Sequence, residues 1–520
     1  MKKIKRDKLP NFHQAKWDEP IIFEHSVPGE RGVLVPKAEK AIVAEAGDGV
    51  SQIPQVLVRK QQPGLPEMNQ KAVLKHYLRL SQMTLGGNLN VEIGQGTCTM
   101  KYNPPVNDQL AENPKLAELH PLQDESTVQG ILEIMYKMDL VMREVSGMDY
   151  FTFQAGGGSQ SAMAMASIIR SYFEHKGEAE QRDEIITTIY SHPSDAAAPA
   201  TIGYKVIKIP ANEDGLPDYE AFKAAVSERT AAFIVANPED TGIYNSHVRE
   251  FTKLVHEHGG LCGYDQANAN GLFGVTRARE AGFDMCFFNL HKSFGAPHGC
   301  GGPGSGSVGV RAELRPFLPR PLITYNEAED RYFFDYDMPE SLGRVRPFHG
   351  NPQVVLKAYA WTRSLGAEGL YEAAKIAVLN NNYLIRKILE NDLVDLPYPQ
   401  DKQLVEQARY SLAKLEEKTG LGMTEVVNRV MDFGMHMWTS HHPYYVPEPM
   451  TLEPTETPSR RDLDAYVSVL NHILEEATEN PEILKTAPHN STIHQVDESN
   501  FDDPEAWIPS WRVYQQKTGC

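Results

Sequence analysis

Between Tyr150 and Val310, short apolar runs alternate with helical patterns, and that alternation constrains the fold more than any other feature of the chain. Strand character appears at Tyr150-Phe-Thr-Phe-Gln154, Ile185-Ile-Thr-Thr-Ile-Tyr190, Tyr204-Lys-Val-Ile-Lys-Ile209, Thr230-Ala-Ala-Phe-Ile-Val-Ala236, Leu261-Cys-Gly-Tyr264, Met285-Cys-Phe-Phe288 and Ser307-Val-Gly-Val310. Helical patterns occupy 162–173, 219–228 and 247–258 between them. Strand–helix repetition with near-continuous apolar strands predicts an α/β fold: a mostly parallel sheet with helices on both faces. In such sheets ligands gather at the carboxyl ends of the strands.

The residues expected at those ends are His192, Asn237, Asp265 and Lys292. Lys292 follows His291 at the close of the run Asp284-Met-Cys-Phe-Phe-Asn-Leu-His291, and a Gly- and Pro-rich loop to Gly304 comes next. One amine is thus presented at the end of a buried strand above backbone with few side chains. Desolvation favours the neutral form of such an amine, which is the nucleophile toward an aldehyde. Earlier, Ala155-Gly-Gly-Gly-Ser-Gln-Ser161 separates a strand from a helix. Glycines there let backbone N–H groups approach a phosphate at a helix N-terminus, although a tight turn before a packed helix has the same composition.

Pyridoxal phosphate needs an amine to condense with its aldehyde, an anion at its ring nitrogen, a phosphate cradle and a flat group against the ring. Lys292 suits the first role and Asp265 the second. Gly158, Ser159 and Gln160 suit the third. His192 can stack on the ring, Asn237 can bond its hydroxyl, and His291 adjoins the amine. Taken singly, each residue has a plainer reading as a cap, a turn or a surface group. Together, at successive strand ends, they favour the cofactor.

Gly299-Cys-Gly-Gly-Pro-Gly304 matches GxGxxG, but Pro303 and a following strand pattern replace the helix that a dinucleotide site requires. His436, His441 and His442 lack metal-ligand spacing with a third ligand. A net charge of −18 argues against nucleic-acid and anionic-membrane partners. Five scattered cysteines without a CxxC pair fit a reducing compartment. With no signal-peptide pattern and no apolar run of membrane-spanning length, a cytoplasmic location is expected. Residues 1–85 read as an extended N-terminal arm and helix that needs another surface, 86–351 as a large cofactor-binding domain, and 352–520 as a smaller α+β domain with a polar tail. The smaller domain is expected to be helical over 352–391 and mostly helical over 402–432.

Gly96-Thr-Cys-Thr-Met-Lys-Tyr-Asn-Pro104, Asp265-Gln-Ala-Asn-Ala-Asn270, Asn289-Leu-His-Lys-Ser-Phe294, Pro297-His-Gly-Cys-Gly-Gly-Pro-Gly304 and Glu453-Pro-Thr-Glu-Thr457 stand out as specific stretches. With them the chain resembles the glycine decarboxylase (P-protein) family, more narrowly subunit 2 of its two-subunit form. The resemblance implies a fold-type I pyridoxal phosphate enzyme in which Lys292 carries the cofactor. It implies that glycine loses CO2 and that its aminomethyl group passes to a lipoyl-bearing carrier, the H-protein. It also implies a companion subunit 1, in a heterotetramer of two heterodimers. The chain departs from the family pattern at Gly158-Ser-Gln-Ser-Ala162, at Tyr190-Ser-His-Pro-Ser-Asp-Ala196, at Asn237-Pro-Glu-Asp240 and at Leu404-Val-Glu-Gln407, where a His-Glu-Phe segment is expected. These departures leave open a pyridoxal phosphate enzyme acting on another small amino acid, or a non-catalytic scaffold subunit. Retention of both Lys292 and Asp265, neither needed for folding alone, argues against the scaffold.

Overall fold

The computed structural model describes residues 9–47, 49, 51–61, 63–85, 93–94, 101–296, 304–398, 401, 403–437 and 445–519. Most of the Gly96–Pro104 motif, the Pro297–Pro303 loop, His441 and His442 lie outside the described residues.

Seven strands form the central sheet: β1 (Tyr150–Thr152), β2 (Glu184–Thr188), β3 (Lys205–Ile209), β4 (Thr230–Ala236), β5 (Leu261–Gln266), β6 (Met285–Asn289) and β7 (Gly306–Val310). Their spatial order is β1-β7-β6-β5-β4-β2-β3. Pairing is parallel from β3 through β2, β4 and β5 to β6, and β7 runs antiparallel to both β6 and β1. The period-two rule explains why these runs look continuously apolar. Phe233, Val235, Cys286 and Phe288 point into one core, whereas Ala232, Ile234, Met285 and Phe287 point into the other. The first face is covered by α2 (Gln129–Ser146), α5 (Tyr219–Ala225) and α6 (Val248–Glu257) through Met135, Met138, Met142, Phe222, Phe251 and Val255. The second is covered by α3 (Gly158–Lys176) and α4 (Pro193–Thr201).

The helix α3 starts earlier than its apolar pattern, at Gly158, so that glycine opens its first turn while Gly156 and Gly157 precede it. The pattern at 193–201 gives no helical signal because Pro193 and Pro199 flank a run of alanines. Pro193 nevertheless takes the first position, where its missing N–H costs nothing, and His192 caps the helix.

Beyond the sheet, β8 (Leu322–Asn326) and β9 (Arg331–Asp335) form an antiparallel hairpin in a region whose sequence reads only as irregular and aromatic. The long helix α7 (Pro352–Ile388) is interrupted at Gly366, whose φ is 67°. Its second part, with β10 (Ala408–Ser411), α8 (Ala413–Thr419), α9 (Met423–Met431), β11 (Pro449–Pro454) and α10 (Arg460–Glu479), encloses a separate apolar core. The expected helix over 402–432 is thus two short helices preceded by a strand. Ala408-Arg-Tyr-Ser411 pairs antiparallel with β11, which also pairs with Ile93–Gly94. Cross-strand pairing overrides local preference there.

Near the N-terminus, helix α1 (Gln70–Gln82) is capped by Asn69 and clamps the arm through Glu19. That carboxylate accepts from Arg79 at 2.8 Å and meets His76 and His25 at 2.7 Å each. Phe23 stacks on Trp511 of α11 (Trp511–Thr518) at 4.7 Å. Val33, Leu34, Val35, Val56 and Leu57 remain exposed, as do Leu74, Tyr77 and Leu78 of α1. Among the described residues no helix is long and apolar enough to cross a membrane.

Candidate active site

The parallel strands direct their carboxyl ends to one edge of the sheet. His192, Asn237, Asp265 and Lys292, which follow or end β2, β4, β5 and β6, line one cavity there. Lys292 is buried, and the turn that presents it is closed by its N–H donating to Asn289 O at 3.0 Å.

Asp265 is the penultimate residue of β5, and its Oδ1 accepts the Ala267 N–H at 2.8 Å. Burial pushes this carboxyl up, against the pull of the Ala267 N–H and of Lys292. Behind it, Asp195 of α4 is fully buried against Asp265. Burial, then the charge of Asp265, raises the Asp195 carboxyl far above the ordinary range. Two carboxyls so close in a dry site do not both ionise, so Asp195 holds the proton and Asp265 the charge.

His192 is half-buried, with Nδ1 fixed by the Ser194 N–H at 3.1 Å and the Ser194 hydroxyl at 2.7 Å. Asn237 is tied at both ends of its amide to Asn245, accepting from its N–H at 2.8 Å and donating to its carbonyl at 3.1 Å. One amide hydrogen remains for the ring-hydroxyl role expected of it.

The glycine loop adjoins this cavity without lining it. Gly158 packs so closely on Asn289 that a Cβ would lie 2.8 Å from its Nδ2, and Gly156 so closely on Arg346 that a Cβ would lie 2.6 Å from Nη1. Gln160 is spent inside the loop: Oε1 accepts the Gly156 N–H at 2.7 Å and Nε2 donates to Val345 O at 2.6 Å. Ser159 is exposed at the start of α3. His291 packs between Gly157 and Gly304, with Nδ1 accepting the Ser305 N–H at 3.1 Å. It therefore braces the loop beside Lys292.

Five further groups emerge only from the fold. Arg346 brings a guanidinium to Gly156 of the glycine loop, and Gln160 reaches its neighbour Val345 across 185 residues. Glu239 accepts from the Thr188 hydroxyl, and burial pushes its carboxyl up to about 8. Asp240 pairs with the buried Arg409 of β10 at 3.0 Å, which ties the strand-end loop to the C-terminal core. Glu406 reaches the cavity from the segment that the sequence marks only as a departure. Asn268, another lining residue, donates to Glu453 and accepts from Ser293, linking the Glu453–Thr457 motif to the turn of Lys292. By contrast, Arg460 is exposed on α10 and pairs with Asp464 at 3.3 Å, away from the cavity.

The residues present fit pyridoxal phosphate. A buried amine and a buried carboxylate share one cavity, the first turn of a long helix offers free N–H groups beside a guanidinium, and a Cβ at Gly156 or Gly158 would fill the cradle. Among the described residues, Asn289 Oδ1, buried against Gly158, has no hydrogen-bond partner.

Residues 150–319 match the family "Aminotransferase class-V", and residues 373–494 match "Glycine dehydrogenase, C-terminal domain". A Pyrococcus abyssi protein described as "Probable glycine dehydrogenase (decarboxylating) subunit 2" is 42% identical over 505 residues, covering 97% of this chain and 98% of its own. One from Caldanaerobacter subterraneus with the same description is 41% identical, covering 92% and 96%. Among solved structures, a glycine decarboxylase (P-protein) of the glycine cleavage system in inhibitor-bound form superposes with a TM-score of 0.69 at 20% identity, covering 85% of this chain and 100% of that one. A NifS-like protein gives 0.55 at 16%, covering 73% and 98%. At such identities the likeness is one of fold.

Proposed function

The chain belongs to the glycine dehydrogenase (decarboxylating) subunit 2 family, and from that premise we propose that it is the pyridoxal phosphate-bearing subunit of a glycine-cleaving enzyme. The observation that carries this reading is the convergence of Lys292, Asp265 and His192 on one cavity beside the glycine-rich start of α3.

Lys292 supplies the amine that anchors the cofactor aldehyde. Asp265 holds a proton at the ring nitrogen, and Asp195 keeps Asp265 ionised by carrying the proton the pair shares. His192, its ring fixed by Ser194, packs against the ring face. The N–H groups of Gly158, Ser159 and Gln160 hold the phosphate, with the Arg346 guanidinium beside them. Asn237 orients the ring hydroxyl, and His291 keeps the loop in place. When bound, pyridoxal phosphate supplies an electron-poor ring that takes up the electron pair left when the substrate carboxylate departs as CO2. The burial of the surrounding groups keeps water from that pair.

The aminomethyl group then goes to the lipoyl disulfide of an H-protein. Residues 86–351 form the cofactor-binding domain and 352–520 the smaller domain that closes over it. Companion subunit 1 completes the enzyme as a heterotetramer of two heterodimers, in the cytoplasm. The exposed apolar residues of the arm are the surface that subunit covers.

Two measurements test the reading. The cofactor-loaded protein is expected to absorb in the visible range, and Lys292→Ala to abolish that band. With companion subunit and lipoyl carrier added, the wild type is expected to exchange the glycine carboxyl carbon with bicarbonate. A visible band without exchange points to a different small amino acid as substrate. No band in cofactor-saturated protein sinks the enzyme reading altogether.

A further inference from the structure

Glu406 comes to the cavity from outside the seven-stranded sheet, on the segment between α7 and β10. Its backbone has a φ of 68°, which glycine adopts freely and glutamate does not. The Gln407 N–H donates to Val405 O at 2.8 Å, so Glu406 is the central residue of a tight γ-turn, the strained form of that turn. Two glycines hold the turn. The Val405 N–H donates to Gly242 O at 2.8 Å, and a Cβ on Gly242 would strike Gln407 O. A Cβ on Gly271 would lie 3.2 Å from Glu406 Cγ.

The strained backbone delivers a carboxyl that is 4% exposed. Its hydrogen bond among the described residues is a long one, from the Gly271 N–H at 3.4 Å. A buried structural glutamate is ordinarily paired with a cation. The cation whose field reaches this one is Lys292, the amine reserved for the cofactor, and Glu453 and Asp265 add negative charge. Burial, then the charge of Glu453, pushes the Glu406 carboxyl well up, toward its protonated form. Strain held at a cavity-facing residue whose side chain makes one long hydrogen bond among the described residues is the pattern expected where that side chain is needed for chemistry.

We infer that Glu406 is a catalytic acid–base residue that relays a proton between the incoming amino acid and Lys292. The inference rests on the glycine reading above. Glycine arrives as an ammonium and must lose a proton before its nitrogen can replace Lys292, whose nitrogen must gain one. Glu406 gives its proton to Lys292 Nζ, where an N–H bond forms as the carboxyl O–H breaks. The carboxylate then takes a proton from the glycine ammonium, whose nitrogen keeps the electron pair. No net charge or proton is left on Glu406.

The test uses the protein loaded with pyridoxal phosphate and joined to its companion subunit, with glycine added in a stopped-flow spectrometer. In Glu406→Gln the rate of the glycine-induced absorbance change is expected to fall roughly 100-fold or more, and its alkaline limb to disappear. Glu406→Asp is expected to recover part of the rate. In the cofactor-free protein at neutral pH, the infrared difference between wild type and Glu406→Gln is expected to show a lost carboxylic-acid C=O band. Glu406→Gly, which relieves the strain, is expected to melt no lower than wild type while losing the rate. A wild type that does not respond to glycine overturns the glycine reading and this relay together. A wild-type response that Glu406→Gln leaves unaltered in rate and pH dependence overturns the relay alone. A lost carboxylate band in place of the acid band, or a Glu406→Gly protein that melts lower, also overturns it, the first by denying the held proton and the second by showing a structural role.

Discussion

Lys292 owes its place to a strand that ends and a loop that cannot continue it, and its neighbours owe theirs to other strand ends of the same sheet. The acids around it have a measurable consequence for stability. Glu239 is fully buried, and burial raises its carboxyl from 4.5 to about 8. A raised carboxyl binds its proton more tightly when folded than when unfolded. Its contribution is therefore fully present below about pH 4.5 and is lost as pH climbs toward about 8. In thermal melts of the cofactor-free protein, Glu239→Gln is expected to keep its bond with Thr188 and to lose less stability than wild type between those limits. Equal pH slopes for the two proteins would refute the assignment. His192, Asn237, Asp265 and Lys292 could be read from the chain because each follows an apolar run that stops abruptly. Glu406 and Asp195 could not. Glu406 matters through a backbone twist and a contact with Gly271 across 135 residues, and Asp195 through its approach to Asp265 from a helix with no apolar period.

Among the elements, β4, β5 and β6 were legible because both faces of each are buried, leaving runs without polar interruption. The strand β10 was hidden because Ala408-Arg-Tyr-Ser411 is too short to show a period and is made by its pairing with β11. The hairpin β8–β9 was hidden because both strands are only half-buried and mix aromatic with charged residues. The clamp between the arm and α1 was unreadable for another reason, since it depends on one carboxylate meeting an arginine and two histidines from separate stretches of the chain. Hydrogen bonding to Arg79, then to His76 and His25, holds the Glu19 carboxyl down at about 2, against desolvation. A depressed carboxyl contributes stability above its ordinary value of 4.5 and loses it as pH falls through about 2. Glu19→Ala is expected to free the arm at neutral pH, seen as faster proteolytic cutting between 26 and 66 with unchanged cutting within the sheet. Uniform acceleration everywhere would mean that the clamp stabilises the whole fold.

At the scale of the molecule, the sheet and the C-terminal core share the site. Glu406 and Gln407 complete a cavity otherwise built at strand ends, and the Arg409–Asp240 pair fixes their approach. Breaking such a buried pair by removing one partner costs about 3–5 kcal/mol. The arm, in contrast, carries a run of apolar side chains that nothing among the described residues covers. Hydrogen exchange is expected to be fast over 33–57 in the isolated chain and to slow when companion subunit 1 is added. Unchanged exchange in a stable complex would place the interface elsewhere. One contact also sets an order of events during synthesis. Tyr514 donates to Glu24 at 2.8 Å across 490 residues, beside the stack of Phe23 on Trp511. On the ribosome, the clamp of Glu19 on α1 can form early, whereas the part of the arm around Phe23 and Glu24 must wait until a segment 490 residues further along has been made.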